Sequence, residues 1–310
     1  MYKVKKNSNL QRTGDFRNLG VPVLCQRNSI LWLQAKKNFT LPFFTQEFSP
    51  QALQNGRLTD LNILRSFARN SRFKDPGLFI FHIGRCGSTL VSQALRRSPQ
   101  TLVISESTAV NGFFRETTTV ENKLRKELLR GLLKAYNPKS SSKSKVTIFK
   151  FTSWNIEELG LILAAFPQTP WVFVHRNPVE VLSSYLERPP AWAKSNFKIK
   201  SQAKMVEDFY SKIESHLNRN SYWIDHRDIK IESILHLLFL LEIKSTIRVQ
   251  AQITKTLKIY SKDPKQKKIF LGDHIQADTH KILTQENRHL QKVMMIYHSF
   301  SKKFQNRKLS

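Results

Sequence analysis

Acidic residues are scarce in this chain: 23 Asp and Glu stand against 51 Lys and Arg, a formal net charge of +28. A balance that basic attracts anions, whether a phosphorylated small molecule, an acidic substrate, nucleic acid or an anionic membrane surface. A Lys-rich solvated surface would give the same number, so charge alone names no partner. Nucleic acid has no further support, because no run interleaves arginines with regularly spaced aromatics and no nucleic-acid motif is present. No stable nucleic-acid partner is expected. Cysteine is almost missing: Cys25 and Cys86 stand alone, which excludes a disulfide framework and a cysteine zinc site. No other cluster of metal-ligating residues is visible, and no metal is expected. Long apolar runs are missing too. The longest, ILHLLFLL at 234–241, falls far short of the roughly 20 residues a membrane-spanning helix needs. The opening MYKVKKNSNLQRTGDF is basic but lacks the apolar core of a signal peptide. These absences predict a soluble protein of a reducing compartment, cytoplasmic and without a transmembrane segment.

What is present is an alternation. A chain of 310 residues can bury one sizeable core. Residues 1–70 carry scattered aromatics and little regular period, and read as an N-terminal appendage packing on a domain of residues 71–310. From residue 78 onward, short apolar runs alternate with helical patterns. LFIFHI (78–83), TLVIS (101–105), VTIFKF (146–151), WVFVHR (171–176) and SYWIDH (221–226) read as strands. A helix is expected from Ser88 to about residue 97, a charged helix over about 119–136, and an apolar helix over 231–242. Asn155 is expected to cap the helix that follows it, and Asn177 the next, with Pro178 at its first position. Strands alternating with helices predict an α/β fold of three layers, a central parallel sheet flanked by helices. Ligands of such sheets bind at the carboxyl ends of the strands. That rule singles out Gly84–Thr89, Ser105–Glu106, Lys150–Ser153 and His175–Arg176.

The stretch HIGRCGST (82–89) lies between a strand and a helix. Gly84 and Gly87 permit a tight turn whose backbone N–H groups converge on one spot, and the helix dipole adds positive potential there. Ser88 and Thr89 add hydroxyls, and Arg85 a fixed charge. A Walker A loop would place Lys before the Ser/Thr. Gly87 stands there instead, and no strand ending in a Walker B Asp is evident, so an ATPase or GTPase is disfavoured. A second element, VFVHRNPVEVLSSYLE (172–187), is a strand with Arg176 at its end and a Pro-started helix carrying Ser184 eight residues on.

Together the two elements, about ninety residues apart, resemble the sulfotransferases that use 3′-phosphoadenosine 5′-phosphosulfate (PAPS). Residues 82–90 resemble the 5′-phosphosulfate loop and residues 172–186 the 3′-phosphate motif of that P-loop family. The order and position of YSKDPKQKKIF (260–270) are similar to the basic segment that closes over the nucleotide. The resemblance spans about residues 76–275. It implies that Gly84, Arg85, Cys86, Gly87, Ser88 and Thr89 hold the 5′-phosphate end, that Arg176 and Ser184 bind the 3′-phosphate, and that Lys262 lies over the donor. Arg85 stands where many members have a catalytic Lys. It keeps the charge but cannot release a proton at ordinary pH.

Small-molecule members take a His after the third strand as base, whereas this chain reads FKFTSW (149–154) there. Members that use Glu place it about nineteen residues beyond the loop glycine. Glu106, nineteen residues after Gly87, is the corresponding candidate base, and Lys150 resembles the Lys that faces the bridging oxygen. His82 and His175 read as hydrogen-bonding supports, and Cys86 as a small side chain in the loop. The implied reaction moves a sulfuryl group from PAPS to a hydroxyl or amine of a small-molecule, glycan or lipid acceptor, the net charge favouring an acidic one. The alternatives are a P-loop nucleotide-dependent phosphotransferase and a non-catalytic nucleotide- or polyanion-binding protein.

Overall fold

The computed structural model describes residues 19–34, 39–137, 145–187, 199–259 and 288–303. The described strands are β1 (Val21–Gln26), β2 (Ser29–Leu33), β3 (Arg57–Asp60), β4 (Leu78–His82), β5 (Thr101–Ser105), β6 (Val146–Lys150), β7 (Trp171–His175) and β8 (Ser221–Asp225). The helices are α1 (Pro50–Gln54), α2 (Ile63–Arg69), α3 (Ser88–Leu95), α4 (Thr108–Glu116), α5 (Asn122–Lys134), α6 (Leu159–Ala165), α7 (Pro178–Glu187), α8 (Ile199–Ser215), α9 (Ile231–Leu240), α10 (Ile247–Leu257) and α11 (Arg288–Lys303). A five-stranded parallel sheet runs in the order β5-β6-β4-β7-β8 and is flanked by helices. All five apolar runs read as strands lie in it. The central strands β4 and β7 are buried at every position, as continuous apolar strands covered on both faces must be.

The chain divides into two compact units, one drawn from residues 1–79 and 95–170 and the other from 80–94 and 171–310. In the first, β5 and β6 pair in parallel with Ser105 opposite Lys150. The described residues before 70 are more regular than their sequence suggests, because β1, β2 and β3 form an antiparallel sheet. The β1–β2 hairpin turns on Arg27 and Asn28, both with positive φ (50° and 57°). That is the backbone of a two-residue primed turn, normally signalled by Asn-Gly or Asp-Gly. Arg-Asn hides the signal. Helix α4 lies on β1 so closely that a Cβ at Gly112 would run into the Cys25 carbonyl. Helix α5 packs on α2 in the same way, Gly131 against the Leu64 carbonyl.

The charged helix expected over about 119–136 is present as α5; one helix is added before it, α4, and one expectation, the cap at Asn155, is corrected. Ser107 caps α4, and the Thr117 hydroxyl donates back to the Phe113 carbonyl. After β6 the chain enters a 3-10 segment, Ser153–Glu158, whose cap is Thr152. Asn155 sits three residues inside, where its side chain accepts from the Thr152 N–H at 3.0 Å. It closes the reciprocal half of a capping box. Asn177 caps α7 as expected, accepting from the Val179 N–H at 2.9 Å.

In the second unit, β7 and β8 pair in parallel with His175 opposite Asp225. Helix α11 docks on α8, where Glu207 takes His289 Nδ1 at 2.6 Å and Lys292 Nζ at 2.8 Å.

Candidate functional site

The loop between β4 and α3 has three successive demands on its backbone. Gly84 (φ 78°), Arg85 (φ 51°) and Gly87 (φ 83°) all occupy the left-handed region. At Gly84 a Cβ would strike the Tyr185 hydroxyl, and at Gly87 it would meet Ile229 and come within 2.9 Å of His226 Nδ1. Both positions therefore exclude a side chain on conformation and on space. Arg85 adopts the same region without glycine's freedom, at a cost of about 1–2 kcal/mol that the surrounding contacts must offset. Those contacts are specific. The Tyr185 hydroxyl donates to the Ile83 carbonyl at 2.5 Å, His82 Nδ1 accepts from the Gly84 N–H at 3.0 Å, and the Cys86 thiol donates to the Val174 carbonyl at 3.1 Å. Cys86 is fully buried. It acts as the small interior anchor of the loop. The Gly87 carbonyl accepts from the Leu90 and Val91 N–H groups, so α3 begins directly after it. The first N–H groups of a helix have no intrahelical acceptor.

Arg176 belongs to the same unit. Its Nη1 donates to the Arg85 carbonyl at 3.3 Å, and its Nε to Glu180 Oε2 at 2.5 Å. The guanidinium is thus tied at once to the loop and to the first turn of α7. Glu180 and Ser184 are four residues apart and share one helix face. Ser184 is half-buried there. The strand-end Arg and the helix Ser expected from sequence therefore lie on the side of α7 that Glu180 marks. Glu180 was missed at the sequence level, although its i,i+4 spacing from Arg176 is a readable signal.

Beneath Arg176 lies a polar and aromatic cluster that no local pattern announces. Asp225, at the end of β8, accepts from Arg227 Nε and N at 2.9 and 3.0 Å and from the Tyr297 hydroxyl at 2.7 Å. Burial by itself would push this carboxyl up. The bonds from Arg227, the neighbouring His175 and the bond from Tyr297 outweigh it and hold the group at about 2 against an ordinary 3.8. A carboxyl depressed on folding stabilises fully above its unfolded value, and the contribution is lost as pH falls through the folded one. Asp225→Asn is therefore expected to make stability fall less steeply between about pH 4 and pH 2. Denaturant unfolding at stepped pH measures this. An unchanged acid limb would show that the stabilisation comes from elsewhere.

The first unit holds the other two expected residues. Glu106 follows β5, its N–H donates to the Lys150 carbonyl at 2.8 Å, and its carboxylate Oε1 is paired with Lys150 Nζ. Lys150 is buried, with Phe43 against it (5.5 Å to the ring centre), whereas the Glu106 side chain is about a quarter exposed (24%). The carboxylate thus reaches solvent while the ammonium does not. Glu106 is also one of the few non-glycine residues with positive φ (53°), and strain of this kind gathers at functional positions. The structure brings Glu106 and Lys150 together, and Arg85 and Arg176 together. Lys262 lies outside the described residues. Among those residues no group of three His, Cys, Asp or Glu is placed to hold a metal, and no helix is long and apolar enough to cross a membrane.

A parallel α/β sheet with a strained glycine loop, a helix starting at that loop, and a strand-end Arg bonded to the loop carbonyl make up the architecture of a P-loop fold. Residues 76–229 match the sulfotransferase family. No curated protein matches the chain in sequence. Among solved structures it is similar to a sulfotransferase from Mycobacterium avium (10% identity, 84% of this chain and 86% of that one, TM-score 0.49). It is also similar to a mouse sulfotransferase complexed with PAP (13% identity, 80% and 88%, TM-score 0.41) and to the sulfotransferase domain from the curacin biosynthetic pathway (14%, 69% and 98%, TM-score 0.41).

Proposed function

We propose that this protein transfers a sulfuryl group from PAPS to a hydroxyl or amine acceptor. The observation that carries the reading is the single bonded assembly of loop and strand-end Arg: Arg176 held by the Arg85 carbonyl and by Glu180, with Ser184 on the same helix face. The donor set fits a nucleotide with two separate phosphate groups. The start of α3, with Ser88 and Thr89, suits one phosphate through main-chain N–H groups and hydroxyls. The planar fork of Arg176 suits the other.

When bound, PAPS supplies an activated sulfuryl group whose bond to the 5′-phosphate oxygen breaks as the acceptor oxygen or nitrogen bonds to sulfur. Arg85 supplies positive charge without a transferable proton. Glu106 accepts the proton leaving the acceptor, since its pairing with Lys150 is a pairing of the ionised carboxylate, the form able to take a proton. Lys150 holds that carboxylate in place and carries charge beside it. The net charge of +28 supports an acidic acceptor, a glycan or a lipid.

Calorimetry with adenosine 3′,5′-bisphosphate, the desulfated product, tests the donor assignment. Binding is expected without magnesium and at least about tenfold tighter than binding of adenosine 5′-monophosphate, the difference of one charge-assisted contact. Magnesium-dependent ATP binding with no preference for the bisphosphate would instead indicate a phosphotransferase. Transfer of labelled sulfate from PAPS into a cell extract identifies the acceptor, and tight product binding without transfer to any acceptor would sink the enzymatic reading.

A further inference from the structure

Arg176 lies in the two-residue link between β7 and α7. The helix ladder begins one residue later, with the Val181 N–H on the Asn177 carbonyl, and Pro178 has no N–H to offer. The Arg176 carbonyl is met instead by the hydroxyl of Tyr210 on α8, which donates to it at 3.0 Å. Tyr210 is fully buried, and burial raises its pKa well above the ordinary 10, which keeps the hydroxyl protonated and able to donate.

The same hydroxyl lies 3.2 Å from His175 Nδ1. A phenol has one proton, and here it goes to the Arg176 carbonyl, so Nδ1 is the donor of the second bond. His175 is wedged in turn. Its ring packs on Trp223 (3.8 Å between centres) and edge-on to Tyr297 (5.4 Å), and its Nε2 lies 3.9 Å from Asp225 Oδ2. Tyr297 fixes that carboxylate from α11. One unbroken set of contacts therefore joins α11, β8, β7 and α8 to the peptide that carries Arg176.

We infer that Tyr210 is a positioning residue for Arg176, and that Asp225 and Tyr297 hold the His175 ring against which Tyr210 is set. The inference rests on the donor-site reading above. Fixing the Arg176 carbonyl fixes its peptide plane and so the direction in which the side chain leaves the strand. The side-chain bonds to Glu180 and the Arg85 carbonyl then hold its far end. The tyrosine is fully buried and acts through the Arg176 peptide. Its effect must therefore appear only on ligands that engage Arg176.

Tyr210→Phe keeps the ring, including its edge-on contact with Phe173 at 5.4 Å, and removes only the hydroxyl. Its affinities for adenosine 3′,5′-bisphosphate and adenosine 5′-monophosphate are to be compared by calorimetry with those of the wild type. The bisphosphate is expected to weaken by about tenfold, the scale of one hydrogen bond, and the monophosphate by less than about twofold. Equal loss on both ligands, or no loss on either, overturns the positioning role. A wild type that does not prefer the bisphosphate overturns the donor-site reading itself, and this inference with it. If Tyr210→Phe fails to fold, Tyr297→Phe makes the same comparison. Loss confined to the bisphosphate is again the supporting result, and equal loss the overturning one.

Discussion

Arg176→Ala is expected to lose at least about a hundredfold in affinity for adenosine 3′,5′-bisphosphate, since two charge-assisted bonds at about 1.5–3 kcal/mol each are removed and 1.4 kcal/mol is a factor of ten. The loss should exceed that of an ordinary contact for a second reason. Glu180 accepts from Arg176 Nε in the folded protein, and without the guanidinium its carboxylate would face an incoming phosphate. Arg176→Lys keeps the charge but not the planar fork that serves Glu180 and the Arg85 carbonyl together. It should recover only part of the affinity. The fold should survive the alanine, because the Glu180 side chain is 29% exposed and can be solvated when its partner is gone. A folded Arg176→Ala protein with wild-type affinity would end the assignment of this strand end to the 3′-phosphate.

The second large effect is on turnover. Glu106→Gln is expected to lower kcat by about 10²–10⁴, the usual contribution of a positioned base, while leaving bisphosphate affinity unchanged. The ion pair complicates the single variant. Lys150 is 1% exposed, and a buried ammonium without its carboxylate is strongly destabilising. Glu106→Gln combined with Lys150→Met removes both charges and keeps the volume, so it separates loss of the base from loss of the fold. The double variant should bind the bisphosphate, unfold near the wild-type temperature and still turn over slowly. Turnover near the wild-type rate in either folded variant would remove Glu106 from the chemistry. The two experiments are independent, because one reads donor affinity and the other the acceptor proton.

Both predictions rest on residues that were readable before any coordinates. The loop could be found because a buried strand, two glycines and a helix follow one another within a few residues, and each has its own local signature. Arg176 and Ser184 could be found because the end of an apolar run, a Pro start and an eight-residue spacing are also local. Glu180, four residues from Arg176, was open to the same reasoning and was overlooked. The β1–β2 hairpin was hidden by an Arg-Asn turn where glycine would have marked it. The helical region before β6 reads one helix short in the sequence, because α4 is closed by a Ser107 cap and by the Thr117 hydroxyl turning back to the Phe113 carbonyl.

Sequence alone determined the alternating strands and helices and the parallel sheet they imply. These follow from apolar period, turn residues and caps, interactions spanning only a few residues. Tertiary structure decided the partners. Lys150 meets Glu106 from 44 residues away, Tyr210 meets the Arg176 carbonyl from 34, and Tyr297 meets Asp225 from 72. Nothing in the local pattern around Tyr210 or Tyr297 distinguishes them from core aromatics. Their roles arise only when parallel pairing and helix packing bring distant segments together, and the burial this creates requires each polar group to find a partner.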